Sequence, residues 1–206
     1  MKQPAVFIDR DGTISEEVGY VNHPSRFQLY PYSPAAIRLL NENGWLAIVV
    51  SNQAGVARGY FSEEVVIEVN DLMKQKLLRQ DARLDAIYYC AHHPNAGEGP
   101  YRQDCDCRKP RPGLINLATR DFEIDLAYSW MVGDRYSDVQ LAHNANVRSA
   151  LVLSGYGRGE WEYHRANWEY QPDLVRENLL EVVTTVINMS KRRSTDDQPL
   201  VIEAGS

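Results

Sequence analysis

Short apolar runs recur along the chain at Ala5–Ile8, Leu46–Val50, Ala86–Cys90, Ser129–Val132 and Ala150–Leu153. Each is almost continuously apolar rather than alternating, the pattern of strands covered on both faces. Between them, apolar positions fall at helical spacing and predict helices over Ser33–Asn43, Ser62–Gln80, Gly113–Asp121 and Ser137–Ala145, with a further helix over Leu174–Ile187. In the second of these, Ser62 is the expected N-cap, Glu63 and Glu64 occupy the first turn, and Val65, Val69, Leu72, Met73 and Leu77 form the apolar stripe. Asn43-Gly44 ends the first helix, and Pro112 directly precedes the third.

Strands that alternate with helices point to an α/β fold with a doubly wound, mainly parallel sheet. Ligands of such sheets gather at the carboxyl ends of the strands, which places Asp9, Ser51, Cys90 and Asp134 along one rim. The chain of 206 residues suits one domain, expected over 1–189, followed by a polar, aperiodic and mobile tail over 190–206. Only a loop separates Asp11 from Ser33, and one helix, one strand and a Cys-containing loop separate Ser51 from Lys109. The expected site is therefore open, without a separate cap domain, and its specificity is set by loops. The aromatic segment Trp161–Tyr170 is expected to pack on the core or the sheet edge, with a partner surface as the alternative.

Composition narrows the partners. The formal net charge is -6, which argues against a nucleic-acid partner. An acidic chain still accepts phosphorylated molecules where local cations, backbone N–H groups and a metal supply positive charge. No apolar run approaches the roughly 20 residues that span a bilayer, and Met1-Lys2-Gln3-Pro4 leads into the first strand without a signal-peptide core. The expectation is a cytoplasmic monomer with a small-molecule substrate and no membrane or nucleic-acid partner. Lys191-Arg192-Arg193 leaves room for a different class of function, a zinc-stabilised binding module without catalysis.

The candidate chemistry follows the strand ends. In Asp9-Arg10-Asp11-Gly12-Thr13, Asp9 could attack an electrophilic phosphorus while Asp11 moves protons; a solvated turn is the plainer reading. Ser51-Asn52-Gln53 could hold phosphoryl oxygens or merely cap a turn. Arg108-Lys109 could neutralise anionic groups or form a solvated basic loop. In Gly133-Asp134-Arg135-Tyr136-Ser137-Asp138, Asp134 suits Mg²⁺, and Asp138 could hold its waters, orient Lys109 or cap a helix. Cys90, Cys105 and Cys107 with His92 make a donor set for a closed, tetrahedral Zn²⁺ site, and His93 could replace His92 on spacing alone. An odd cysteine count in a chain expected in the cytosol argues against a disulfide framework.

Taken together, these four strand-end segments resemble the haloacid-dehalogenase superfamily of phosphohydrolases, over about the first 155 residues. The resemblance implies a Rossmann-like core in which Asp9 is the nucleophile, Asp11 the general acid/base, and Ser51 and Lys109 hold the phosphoryl group. It also implies Mg²⁺ bound by Asp9, the Asp11 main-chain carbonyl and Asp134. The run Cys90-Ala91-His92 … Cys105-Asp106-Cys107-Arg108-Lys109-Pro110 is similar to the zinc-bearing branch of that superfamily, which implies a structural Zn²⁺ on Cys90, His92, Cys105 and Cys107. Within the branch, Gly19-Tyr20-Val21 and the long loop headed by His92-His93-Pro94 resemble the heptose-bisphosphate phosphatases, with histidinol-phosphate phosphatase as the alternative. That resemblance implies removal of the 7-phosphate of a D-glycero-D-manno-heptose 1,7-bisphosphate in nucleotide-activated heptose synthesis. Glu17, Val18, Gly19 and Tyr20 would contact the sugar, Ser51, Asn52, Gln53 and Ala54 the phosphate, and Arg108, Lys109 and Arg135 the anionic ends.

Overall fold

The computed structural model describes the backbone of residues 2–196 and side chains as far as residue 192. Six parallel strands, β1 (Ala5–Ile8), β2 (Leu46–Asn52), β3 (Ala86–Cys90), β4 (Trp130–Gly133), β5 (Arg148–Val152) and β6 (Leu174–Arg176), form one sheet in the order β3-β2-β1-β4-β5-β6. The helices are α1 (Ser33–Glu42), α2 (Glu63–Leu78), α3 (Gly113–Asp121), α4 (Tyr136–Asn144), the one-turn α5 (Gly157–Gly159) and α6 (Leu179–Asp196). The predicted strands and the first four helices are all present, shifted by at most two residues at an end.

Two apolar layers explain the continuous hydrophobicity of the strands. Val6 and Ile8 of β1 face a layer built with Ile37 and Leu40 of α1, Met73 and Leu77 of α2, and Val182 and Val186 of α6. Ala5 and Phe7, on the opposite face, pack with Leu114 and Ile115 of α3 and Leu141 and Ala142 of α4. Side chains alternate across a strand, so a strand between two helical layers needs apolar residues at every position.

The segment after β5 departs from expectation. Leu174–Arg176 is an edge strand paired with Ala150–Val152, and the helix expected from Leu174 begins at Leu179. Asp173 anchors this edge: its Oδ2 accepts bonds from the Ser149 N–H (2.8 Å) and hydroxyl (2.9 Å). The final helix continues past Ser190 to Asp196, so the first part of the expected tail is helical, and 197–206 lies outside the described residues. Ser62 sits at the N-cap of α2 with extended backbone but makes no side-chain cap bond; its hydroxyl instead bonds Glu64. Between β5 and β6, residues of the Trp161–Tyr170 segment form short helical turns in which Trp168 stacks on Tyr136 of α4 at 4.6 Å. Among the described residues no helix is long and apolar enough to cross a membrane.

Phe7 has no exposed surface and lies at the centre of the second layer. Phe7→Ala is expected to cost about 3–5 kcal/mol, read as a lower urea midpoint with an unchanged m-value.

Candidate active site

The strand order turns back on itself between β1 and β4, because the chain builds outward through β2 and β3 and then returns to the other side of β1. Such a switch point opens a crevice at the carboxyl ends of the strands. Asp9 follows β1 there, with its N–H bonded to the Val132 carbonyl at 2.9 Å, and Asp134 follows β4. Asp9, Asp134 and Asp138 bring carboxylate oxygens within 4.8 Å of one another, and all three are buried. The Lys109 Nζ enters this cluster, 2.8 Å from Asp9 Oδ1 and 2.7 Å from Asp138 Oδ1.

Electrostatics shows a shortage of positive charge. Burial pushes the Asp9 carboxyl up from 3.8 to about 6; the Lys109 ammonium opposes that rise, and the Asp138 charge adds to it. Burial likewise raises Asp134 well above the usual carboxylate range, followed by the charges of Asp9 and Asp138. For Lys109, burial favours the neutral amine, but Asp138 and Asp9 outweigh it and hold the ammonium above its ordinary value. Asp134 Oδ2 accepts the Tyr156 N–H at 2.8 Å, whereas its buried Oδ1 has no partner. An all-oxygen cluster with an orphaned buried carboxylate oxygen fits a hard divalent cation. Glycines make room for the Asp134 carboxylate: Gly12 holds φ +83°, and a Cβ there or at Gly155 would overlap Asp134 Oδ2. Asp138 both orients Lys109 and, through Oδ2, accepts the Arg135 N–H at 3.1 Å at the start of α4. The carboxylate of Asp11 lies outside this group.

Asp11 is held by a separate network. The Arg10 guanidinium donates from Nε to Asp11 Oδ1 (3.1 Å) and from Nη2 to Asp11 Oδ2 (2.8 Å). The Gln53 amide donates from Nε2 to Asp11 Oδ2 (2.9 Å) and to Ser51 Oγ (2.8 Å). Ser51 thus accepts from Gln53 and keeps its own O–H to donate.

A cavity of about 310 Å³ opens over these groups. Asp9, Asp11, Ser51 and Lys109 line it together with Glu17, Gly19, Tyr20, Asn52, Ala54, Arg108 and Arg135, all anticipated from the sequence. Arg58 and Ser137 also line it and were not anticipated. Both follow strands that end at this rim, the only sequence signal that could have found them. Two expected contact residues lie elsewhere. Val18 packs against the first apolar layer, and Gln53 spends its amide on Asp11, Ser51 and Arg10. Burial raises the Glu17 carboxyl, while the Gly19 N–H bonded to it works the other way.

The second cluster lies at the end of β3. Cys90, His92, Cys105 and Cys107 place their ligand atoms within 4.8 Å of one another. His93 points elsewhere, its Nε2 being 3.3 Å from Arg58 Nη2. Burial pushes the Cys90 and Cys107 thiols up. For Cys105, burial acts in the same direction but is outweighed by bonds from Cys107, His92 and Cys90, which bring it down to about 7. Three sulfurs and one imidazole make a donor set that could hold zinc. Tyr101 ties the loop to α2 and Tyr89 of β3 meets it there, their hydroxyls donating to Glu63 at 2.7 and 3.0 Å. It ends in a clamp on Lys109: the Lys109 N–H donates to Asn52 Oδ1 (3.0 Å), and Asn52 Nδ2 donates to the Lys109 carbonyl (3.2 Å). Asn52, expected to cradle phosphate, thus spends its amide on the backbone of the lysine.

The chain is similar to known proteins in sequence and in fold. The family described as HAD-hydrolase-like matches residues 106–182. The D-glycero-beta-D-manno-heptose-1,7-bisphosphate 7-phosphatase of Haemophilus ducreyi is 40% identical over 188 residues, covering 90% of this chain and 100% of that protein. The Escherichia coli K12 protein of the same name is 44% identical over 151 residues, 73% of this chain and 78% of the relative. In three dimensions, the D,D-heptose 1,7-bisphosphate phosphatase from B. bronchiseptica, crystallised with magnesium and phosphate, superposes with a TM-score of 0.79 at 30% identity. It covers 91% of this chain and 99% of that one.

The Asn52 clamp can be tested by stability alone. Asn52→Ala removes both bonds to Lys109 and is expected to cost about 1–3 kcal/mol, measured by urea unfolding; an unchanged midpoint would show that the clamp contributes nothing.

Proposed function

The chain belongs to the D-glycero-beta-D-manno-heptose-1,7-bisphosphate 7-phosphatases of the HAD-like hydrolases, and we propose that it removes the 7-phosphate of that sugar through a phospho-aspartyl intermediate. One observation carries the mechanism: the Asp9 carboxylate, paired with Lys109 at 2.8 Å, and the Asp11 carboxylate face the same cavity.

An Asp9 oxygen attacks the phosphorus, and the bond from phosphorus to the C7 oxygen breaks. Asp11 gives its proton to the departing alkoxide. Water then attacks the phosphorus of the aspartyl phosphate while Asp11 takes up a proton, so inorganic phosphate leaves and Asp9 is restored. Ser51 donates its free O–H to a phosphoryl oxygen, and Lys109 offsets charge between nucleophile and phosphate. Glu17, Gly19 and Tyr20 line the side of the cavity that takes the sugar, with Arg108 and Arg135 for its anionic end. The reading gives Mg²⁺ the Asp9 and Asp134 carboxylates and the Asp11 main-chain carbonyl as ligands. When bound, the ion supplies the positive charge that lets a carboxylate meet an anionic phosphate. The unpartnered Asp134 Oδ1 and the raised Asp9 and Asp134 carboxyls support that assignment. A structural zinc on Cys90, His92, Cys105 and Cys107, work in the cytoplasm and a monomeric state belong to the same proposal.

Asp9→Asn should lower phosphate release from heptose 1,7-bisphosphate by on the order of 10³-fold or more while the melting temperature holds or rises. Persistent turnover would remove Asp9 from the nucleophile's role. With the unmodified chain, kcat/KM for the heptose bisphosphate should exceed that for histidinol phosphate by about 10²-fold or more; the reverse order would shift the assignment to histidinol phosphate. Elemental analysis should find one zinc per chain, and Cys105→Ser should lose it and lower the melting temperature. Unchanged zinc content would exclude Cys105 as a ligand.

A further inference from the structure

Asn70 is a buried amide on the apolar side of α2, among Val66, Val69, Met73 and Leu77. An amide in such a place destabilises the fold unless it is hydrogen-bonded. Its partner lies 60 positions away in sequence: Asn70 Oδ1 accepts from Arg10 Nη1 at 3.1 Å. Arg10 leads the large, fully buried side chains. Its guanidinium grips Asp11 along one edge through Nε and Nη2, while Nη1 is fixed by Asn70 and Nη2 also donates to Gln53 Oε1 at 2.9 Å. A guanidinium is a rigid planar fork, so fixing its far side fixes the plane of the carboxylate on its near side.

We propose that Asn70, acting through Arg10, is a positioning residue that aims the Asp11 carboxyl group at the leaving oxygen. The inference rests on Asp11 being the general acid of the proposed reaction. Asn70 itself touches neither substrate nor the metal cluster; what it sets is the geometry of proton delivery. Misplacement of a reacting group by about 1 Å can cost on the order of 10²-fold in rate.

The leaving group separates this role from a merely structural one. A sugar alkoxide needs a proton to depart, whereas p-nitrophenolate leaves as a stable anion, and kcat/KM covers the steps through that departure. Asn70→Leu should lower kcat/KM for heptose 1,7-bisphosphate about 10- to 100-fold while changing that for p-nitrophenyl phosphate less than about threefold. Asn70→Asp, which keeps an acceptor for Arg10, should recover most of the loss. Asp11→Asn should show the same split with a larger amplitude. If Asp11→Asn splits the two substrates and Asn70→Leu lowers both equally or neither, the inference is overturned. If Asp11→Asn itself gives no split, the assignment of Asp11 fails instead. Should Asn70→Leu not fold, the smaller Asn70→Ser also removes the acceptor from reach and is read by the same ratio.

Discussion

Asp9, Asp134 and Asp138 are buried within 4.8 Å of one another, and the Lys109 ammonium reaches two of them. Desolvating a carboxylate costs several kcal/mol unless a partner offsets it, so three carboxylates around one lysine leave a deficit of positive charge. The deficit is visible in Asp9, raised to about 6, and in Asp134, also raised well above its ordinary value. A divalent cation would remove it. Much of the surrounding backbone serves that concentration of charge: the strand order that opens the crevice, Gly12 and Gly155 beside Asp134, and the Asp138 bond to the start of α4.

Lys109 is delivered to this cluster from outside the strands. It lies at the end of a long polar loop that carries the Cys and His cluster, bonds Glu63 of α2 through Tyr101 and is fastened at Lys109 by the Asn52 clamp. A metal in the sulfur-rich cluster and a metal in the carboxylate cluster would therefore do different work. The former would steady the segment that carries the ammonium, and the latter would balance the charge that the ammonium leaves uncompensated.

The proton-transfer side of the site is assembled differently. Asp11 depends on Arg10, its sequence neighbour, and Arg10 depends on Asn70 and Gln53, which come from α2 and the end of β2. Asp9 and Asp11 are two residues apart in the chain but answer to separate networks, one ionic and buried beneath the switch point, the other made of amides around a guanidinium. The split suits the tasks proposed for them, in which Asp9 meets an anion and Asp11 handles protons.

By itself, the sequence determined the parallel α/β core, because unbroken apolar runs between helix-period segments fit strands covered on both faces. It also made the rim legible, because a residue at or just past the end of such a strand has its position set by the strand: Asp9, Ser51, Cys90 and Asp134 all fall there. The tertiary structure alone decided what depends on contacts between distant segments. Leu174–Arg176 has helical spacing yet forms a strand, because it finds an open sheet edge beside β5. Asn52 and Gln53 stand at the end of β2, where the sequence suggests a phosphate cradle, yet their amides hold Lys109 and Asp11. Asn70 is one polar residue on an apolar helix face, and its partner is named only when α2 docks beside the first strand. Spacing along a chain fixes which face a side chain takes; which distant group it meets is fixed only by packing.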